Sequence, residues 1–239
     1  MIICVTPEEV KARVPITGGQ GTTVHEIVGD RSTPWDGPCG HLVTQAPVDV
    51  VPPHFHEADQ YQVFVAGSGR IGGHPVAVGT VHYSDGYSGY GPIVPDADGC
   101  AYLTLRPTFD TSHHNLPADA ALARGRKGRQ KMIQIEYAPV APGIRTLFQL
   151  PDGVGAYQQA APAGQPLDDV APPGGRYLLV MEGDVVIDGK RYPQGSCLWV
   201  GEGEPMPGAI AGADGTLVAT VCFASKQSRQ ARQAGWPRA

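Results

Sequence analysis

The sequence predicts an all-β protein whose strands fall into two successive runs. Three observations carry that expectation. The 239 residues include 32 Gly and 23 Pro, scattered without period between short apolar runs, the pattern of many short strands joined by tight turns. Long stretches with apolar residues at helical spacing are scarce. A basic, turn-rich segment near residues 112–130 divides the strand-like segments into two groups, and the length suffices for two small domains.

Taken in order, residues 1–20 read as an N-terminal arm with a short helix over Pro7–Arg13. VHEIV (24–28) and HLVTQ (41–45) read as strands, separated by the turn-rich GDRSTPWDGPCG. The clearest strand is QYQVFVAG (60–67), followed by GTVHYS (79–84) and AYLTLRP (101–107). Five positive charges lie between Arg124 and Lys131 with no aromatic residue among them, so this stretch reads as a solvated connector rather than a basic binding patch. Strands resume with MIQIEYAPV (132–140), RTLFQL (145–150), RYLLVMEG (176–183), DVVIDG (184–189), SCLWVG (196–201) and LVATVCF (217–223). The expected boundaries are therefore 1–112 for the arm and a first barrel, 113–131 for a linker, 132–225 for a second barrel and 226–239 for a polar tail.

Composition removes several function classes. A net charge of −5 does not favour nucleic acid or an anionic membrane as partner. No apolar run approaches the length of a membrane span, and the N-terminus lacks the basic-then-apolar layout of a signal peptide. The five cysteines (Cys4, Cys39, Cys100, Cys197, Cys222) are odd in number, far apart and without a C-x-x-C pair. They read as reduced thiols of a cytoplasmic protein.

The residues that carry chemistry cluster in the first half. His54 and His56 are two apart, and on a strand such residues point to the same face. Gln60 opens the next strand, and His82 follows the turn at Gly79. Three imidazoles and an oxygen donor suit a first-row divalent metal. Gln62 and Phe64 share strand parity with Gln60 and are expected to line the same pocket. Tyr83, Tyr87 and Tyr90 follow the third histidine. Of these, Tyr87 and Tyr90 are the candidates for shaping the pocket mouth or donating a proton. His113 and His114 fall in the linker, His25 and His41 on separate strands, and His74 in a Gly-Gly-His-Pro turn. None of these five is expected to be a ligand.

In these positions the sequence resembles the cupin superfamily, which is marked by G-x5-H-x-H-x3,4-E-x6-G and then G-x5-P-x-G-x2-H-x3-N. The chain supplies His54-x-His56, three residues, Gln60, six residues and Gly67, then Gly79-x2-His82. It departs at Val48 for the leading Gly, Gln60 for the Glu, Ala77 for the Pro and Gly86 for the Asn. The second half keeps the same spacing at Gly164, Val170, Pro172, Arg176 and Gly183, then at Pro193, Gly195 and Leu198, with every ligand replaced. Glycine and proline there serve backbone geometry and need no metal to persist.

The resemblance implies two jelly-roll-type β-barrels, the first metal-binding and the second degenerate. It implies one divalent metal ion per chain, iron foremost and Ni, Zn, Mn or Cu as alternatives, held by His54, His56 and His82 with Gln60 as fourth ligand. It further implies a dioxygenase acting on a small organic substrate and a homodimeric assembly. Two alternatives stay open: a non-redox isomerase, lyase or cyclase using the metal as Lewis acid, and a ligand-binding bicupin without turnover.

Overall fold

The structure, a computed structural model, describes residues 1–18, 21–30, 32, 35–126, 128–137 and 141–235. The end of the segment expected as a strand over 132–140, at 138–140, and the end of the tail, at 236–239, lie outside the described residues.

Strands dominate, in the order β1 (Ile2–Val5), β2 (Ile16–Gly18), β3 (Thr22–Val28), β4 (Cys39–Gln45), β5 (His54–Phe55) and β6 (Gln60–Ile71). There follow β7 (His74–Ala77), β8 (Thr80–Ser84), β9 (Ile93–Arg106), β10 (His114–Asn115) and β11 (Gln130–Gln134). The second half holds β12 (Gly143–Gln149), β13 (Gly155–Ala161), β14 (Arg176–Ile187), β15 (Lys190–Pro193), β16 (Cys197–Val200) and β17 (Ala209–Cys222). Two short α-helices are described, α1 (Pro7–Lys11) and α2 (Lys226–Ala234). The first opens with a capping box in which Thr6 and Glu9 satisfy each other's backbone N–H. Among the described residues, no helix is long and apolar enough to cross a membrane.

The chain forms two compact units, one of residues 13–134 and 232–239, the other of residues 1–12 and 135–231. In the first, an antiparallel sheet runs β11-β8-β6-β9-β4-β3-β2, with β7 also on β6, beside a ribbon of β5 and β10. The long β6–β9 pairing is its spine, irregular near Ala66 and Gly67. Gly67 has φ +65°, and a Cβ there would lie 2.1 Å from the Gly99 carbonyl oxygen. Only glycine serves at this crease. Isolated bridges Val51–Ile93 and His54–Tyr90 tie the loop before β6 to the segment entering β9. Phe64, Ile71, Val76, Tyr90, Ile93, Cys100 and Tyr102 form a core cluster in this unit.

The segment 113–131 was expected as a partly exposed linker, and both its ends belong to this sheet system. His114 and Asn115 pair with Phe55 and His54. Gln130–Gln134 pair along β8, with Met132 opposite His82. Strands β5 and β8 would otherwise present unpaired edge groups. Residues 1–12, expected with the first barrel, instead group with the second unit, where β1 pairs with β16 from Ile2–Val200 to Val5–Cys197.

The second unit has the order β1-β16-β14-β17-β13-β12, with β15 also on β14. The stretches expected as separate strands at 176–183 and 184–189 form one strand, β14, creased at Gly183. This glycine repeats the geometry of Gly67, with φ +69° and its Cβ position 2.1 Å from the Gly215 carbonyl oxygen. Leu178, Val180, Val185, Leu198 and Val218 fill the core. All eight histidines fall between positions 25 and 114, so this barrel offers no imidazole. The cysteines are all free thiols.

Candidate metal centre

His54 lies in the two-residue strand β5, where Pro52 and Pro53 precede it and favour extended backbone. Its Nδ1 is 2.7 Å from the Pro52 carbonyl oxygen. His56 Nδ1 bonds the Ser112 carbonyl. A carbonyl oxygen only accepts, so both rings carry their proton on Nδ1 and turn the Nε2 lone pair inward, the tautomer a metal ligand needs.

The structure places His113, which was not expected among the ligands, beside this pair. This residue is exposed, yet its ring is stacked on His54 at 4.4 Å between centroids and edge-on to His56 at 5.5 Å. One ligand atom from each of His54, His56 and His113 lies within 4.8 Å of the others. The cause is the β5–β10 pairing, which pins the chain just after His113 against the histidine strand. No spacing rule in the sequence announces it. His114 stays outside the group, stacked on Phe55 at 4.8 Å and 3.1 Å from Glu57.

All three imidazoles are held in the neutral form. Burial pushes the His54 pKa down to about 4. Burial, then the Arg106 guanidinium, holds His56 well below the usual range. Partial desolvation among its neighbours lowers His113 as well. Neutral imidazoles in a polar recess, two of them fixed in tautomer, fit a first-row divalent ion.

Gln60 and His82 are placed differently from these three. Gln60 Oε1 accepts from Arg106 Nε at 3.2 Å and Nη2 at 3.1 Å. The oxygen a metal would take is thus held by a guanidinium. Gln60 Nε2 donates to Tyr90 Oη at 2.5 Å, and Tyr90 Oη is 2.8 Å from His54 Nε2. His82 is buried on β8, its Nδ1 2.9 Å from Gln62 Oε1, and burial pushes its pKa down to about 4. Tyr90 contacts both sides, with its ring centroid 4.5 Å from His54 and 5.2 Å from His82. His54, His56 and His113 open on one cavity of about 250 Å³, and His82 on another of about 570 Å³ shared with His74, Gln130 and Met132. Tyr90 borders both.

Among the expected pocket residues, Gln62 and Tyr90 line the smaller cavity. Phe64 packs in the core, 5.1 Å from the Tyr102 ring. Tyr87 sits away from the cavity wall, with Arg126 3.6 Å over its ring and φ at +61°. Tyr83 donates to Asp85 at 2.5 Å and belongs to a separate charge cluster. His41, not expected as a ligand and absent from the histidine group, also lines the smaller cavity. Sequence reasoning missed Arg106 and Thr22 there. Arg106 shares strand parity with Tyr102 and Thr104, a signal that a charged group at the end of β9 points inward.

A scan of protein-family models matches nothing in this sequence, and no curated protein sequence matches it. Solved structures do. The nickel(II)-bound pirin YhhW of Escherichia coli aligns over 94% of this chain and 100% of its own at 11% identity, with a TM-score of 0.61. A putative dioxygenase of Nostoc punctiforme aligns over 94% of this chain and 83% of its own at 12% identity, with a TM-score of 0.62. An oxalate decarboxylase aligns over 94% and 77% at 12% identity, with a TM-score of 0.63. At these identities the likeness establishes architecture. The protein is an all-β chain with a histidine cluster confined to its first unit. It shares the fold of these solved structures, and its second unit is devoid of histidine.

Proposed function

We propose that the protein is a metal-dependent cupin enzyme, a dioxygenase acting on a small organic substrate in the cavity beside His54, His56 and His113. The observation that carries the reading is the convergence of three neutral imidazoles, those of His54 and His56 fixed in tautomer, on one recess. The dioxygenase candidate from Nostoc punctiforme and the nickel-bound pirin share the fold and support a metal and oxygen chemistry on it.

A bound first-row ion would supply Lewis acidity and open positions for substrate and O2. Three imidazoles cancel none of its charge, so an anionic substrate is favoured at the site. The chain's own residues do the rest. His54 and His56 hold their lone pairs inward through the Pro52 and Ser112 carbonyls. Gln60 bridges Arg106 to Tyr90, and Tyr90 keeps a hydroxyl proton at the edge of the recess. That hydroxyl also favours the second reading, a non-redox isomerase or lyase in which Tyr90 moves a proton to or from substrate.

The test is metal analysis of protein purified anaerobically without a metal-binding tag, followed by O2 uptake with a panel of small organic acids and enols. About one equivalent of iron, nickel, manganese, copper or zinc, lost in His56→Ala, supports the metal enzyme. O2 uptake coupled to substrate loss selects the dioxygenase, and substrate conversion without O2 selects the second reading. No metal after reconstitution overturns both.

A further inference from the structure

We propose that the cavity of about 250 Å³ is built for a small organic carboxylate, its charge received by Arg106 at the histidine end and an uncharged hydrogen-bonding group received by Thr22 at the other. The proposal deepens the metal-enzyme reading and rests on it for where reaction occurs, but the binding it describes needs no metal.

Two independent observations carry it. Arg106 is 5% exposed, points into the cavity and is fixed there by three hydrogen bonds, two to Gln60 Oε1 and one of 2.5 Å to the Asp110 carbonyl. A guanidinium so held is pre-organised for a carboxylate. Asp110 also lines the cavity, but its two oxygens accept from Ala58 N at 2.8 Å and Ser112 N at 2.7 Å, which ties down the loop leading to His113.

Thr22 is the second observation. It is 8% exposed and lines the same cavity, yet among the described residues its Oγ1 has no hydrogen-bond partner. A buried hydroxyl left unpaired is costly and points to a group that arrives from outside. The register sets the two residues at opposite ends. Thr23 pairs with Thr44, and Thr44 with Ala101, five positions along β9 from Arg106. Val24, Val43, Val51 and Tyr102 supply apolar wall. The occupant is therefore a carboxylate with an apolar body and a hydroxyl or carbonyl at its far end. The volume lies below the roughly 300–1,000 Å³ of drug-sized sites, which excludes large substrates.

Calorimetric titration of hexanoate, benzoate, their amides and 6-hydroxyhexanoate tests this, on EDTA-stripped and on nickel-loaded protein. Each carboxylate is expected to bind at least tenfold more tightly than its amide. Arg106→Gln is expected to erase that ratio, and Arg106→Lys to retain part of it. Thr22→Val is expected to weaken 6-hydroxyhexanoate and leave hexanoate unchanged. Equal binding of acid and amide, no binding of any probe, or a folded Arg106→Gln protein with undiminished carboxylate affinity overturns the proposal. If Arg106→Gln does not fold, the acid-to-amide ratio and the Lys variant decide. Arg106-dependent binding in a protein that takes no nickel leaves the anion site standing while the metal-enzyme reading falls. Nickel binding with no preference for acids does the reverse.

Discussion

Tyr90 Oη lies 2.8 Å from His54 Nε2 and donates its proton there. The direction follows from the neighbours. His54 Nδ1 faces the Pro52 carbonyl and must carry the ring proton, which leaves Nε2 as acceptor. Gln60 Nε2, held in orientation by Arg106 on its oxygen, donates to the other side of the hydroxyl. One polarised chain thus runs from Arg106 through Gln60 and Tyr90 to a candidate ligand. It also gives a reason for glutamine at position 60, since an ionised glutamate has no proton to give Tyr90.

The first prediction concerns that chain. In the metal-free protein the Tyr90 hydroxyl occupies the lone pair that His54 would give a metal. Binding must break this bond, whose net worth is about 0.5–1.5 kcal/mol. Tyr90→Phe is therefore expected to bind nickel or zinc up to about tenfold more tightly in a chelator competition. Weaker binding in the variant would mean that the tyrosine oxygen itself helps to hold the ion.

A second prediction separates the two candidates for the third imidazole. The family spacing points to His82, whereas the structure sets His113 beside His54 and His56 and turns His82 toward Gln62. His113→Ala is expected to lower metal affinity by at least tenfold, as is His56→Ala, while His82→Ala keeps its metal. The opposite pattern, with metal lost only in His82→Ala, would show that Tyr90 moves aside and the family set assembles on loading.

The strands of both barrels were legible because their apolar runs are bounded by glycine and proline, and the creases at Gly67 and Gly183 fall where the motif spacing puts them. The histidine pair was legible because strand parity fixes its face. His113 was not, because a long-range pairing of two residues with β5 positions it, and nothing local encodes that register. Thr22 and Arg106 were hidden for a similar reason: a strand residue's chemistry depends on what lies across the barrel. The strand expected over 132–140 starts at Gln130 and pairs with β8, 46 or more residues away, a register that nothing local encodes.

The third prediction is a pH dependence. His54 and His82 have folded pKa values of about 4, against an ordinary value of 6.5. Below pH 6.5 the unfolded chain takes up protons that the folded chain refuses. Stability of the metal-free protein is thus full above about pH 6.5 and declines as pH falls toward 4, by about 2 kcal/mol per imidazole at pH 5. Urea unfolding at pH 7.5 and 5.0 should show the loss, and His82→Gln should reduce it. The same depression lets a bound metal survive at pH 5–5.5, where imidazoles of ordinary pKa would be mostly protonated.

The last prediction concerns a charge cluster remote in role from the metal centre. Asp59 and Asp85 are both buried in the first unit. Arg232 reaches Asp59 at 2.5 Å and Asp85 at 3.0 Å, and Arg129 holds Asp85 through its backbone N–H and side chain at 2.8 Å. Burial pushes the Asp59 carboxyl up, against the pull of Arg232. Burial acts on Asp85 too, but hydrogen bonds from Arg129 and Tyr83 outweigh it and leave that carboxyl below its usual range. Arg232→Ala removes the cation from Asp59 and leaves it with the Gly86 N–H, a change expected to cost about 3–5 kcal/mol at pH 8. Asp59 escapes the cost by binding a proton. A carboxyl whose folded pKa is raised favours the folded state at low pH, so the destabilisation should shrink at pH 5. Denaturant melts of wild type and variant at the two pH values measure both effects. A difference below about 1 kcal/mol at pH 8, typical of a solvated pair, would show that water reaches Asp59 once the arginine is gone.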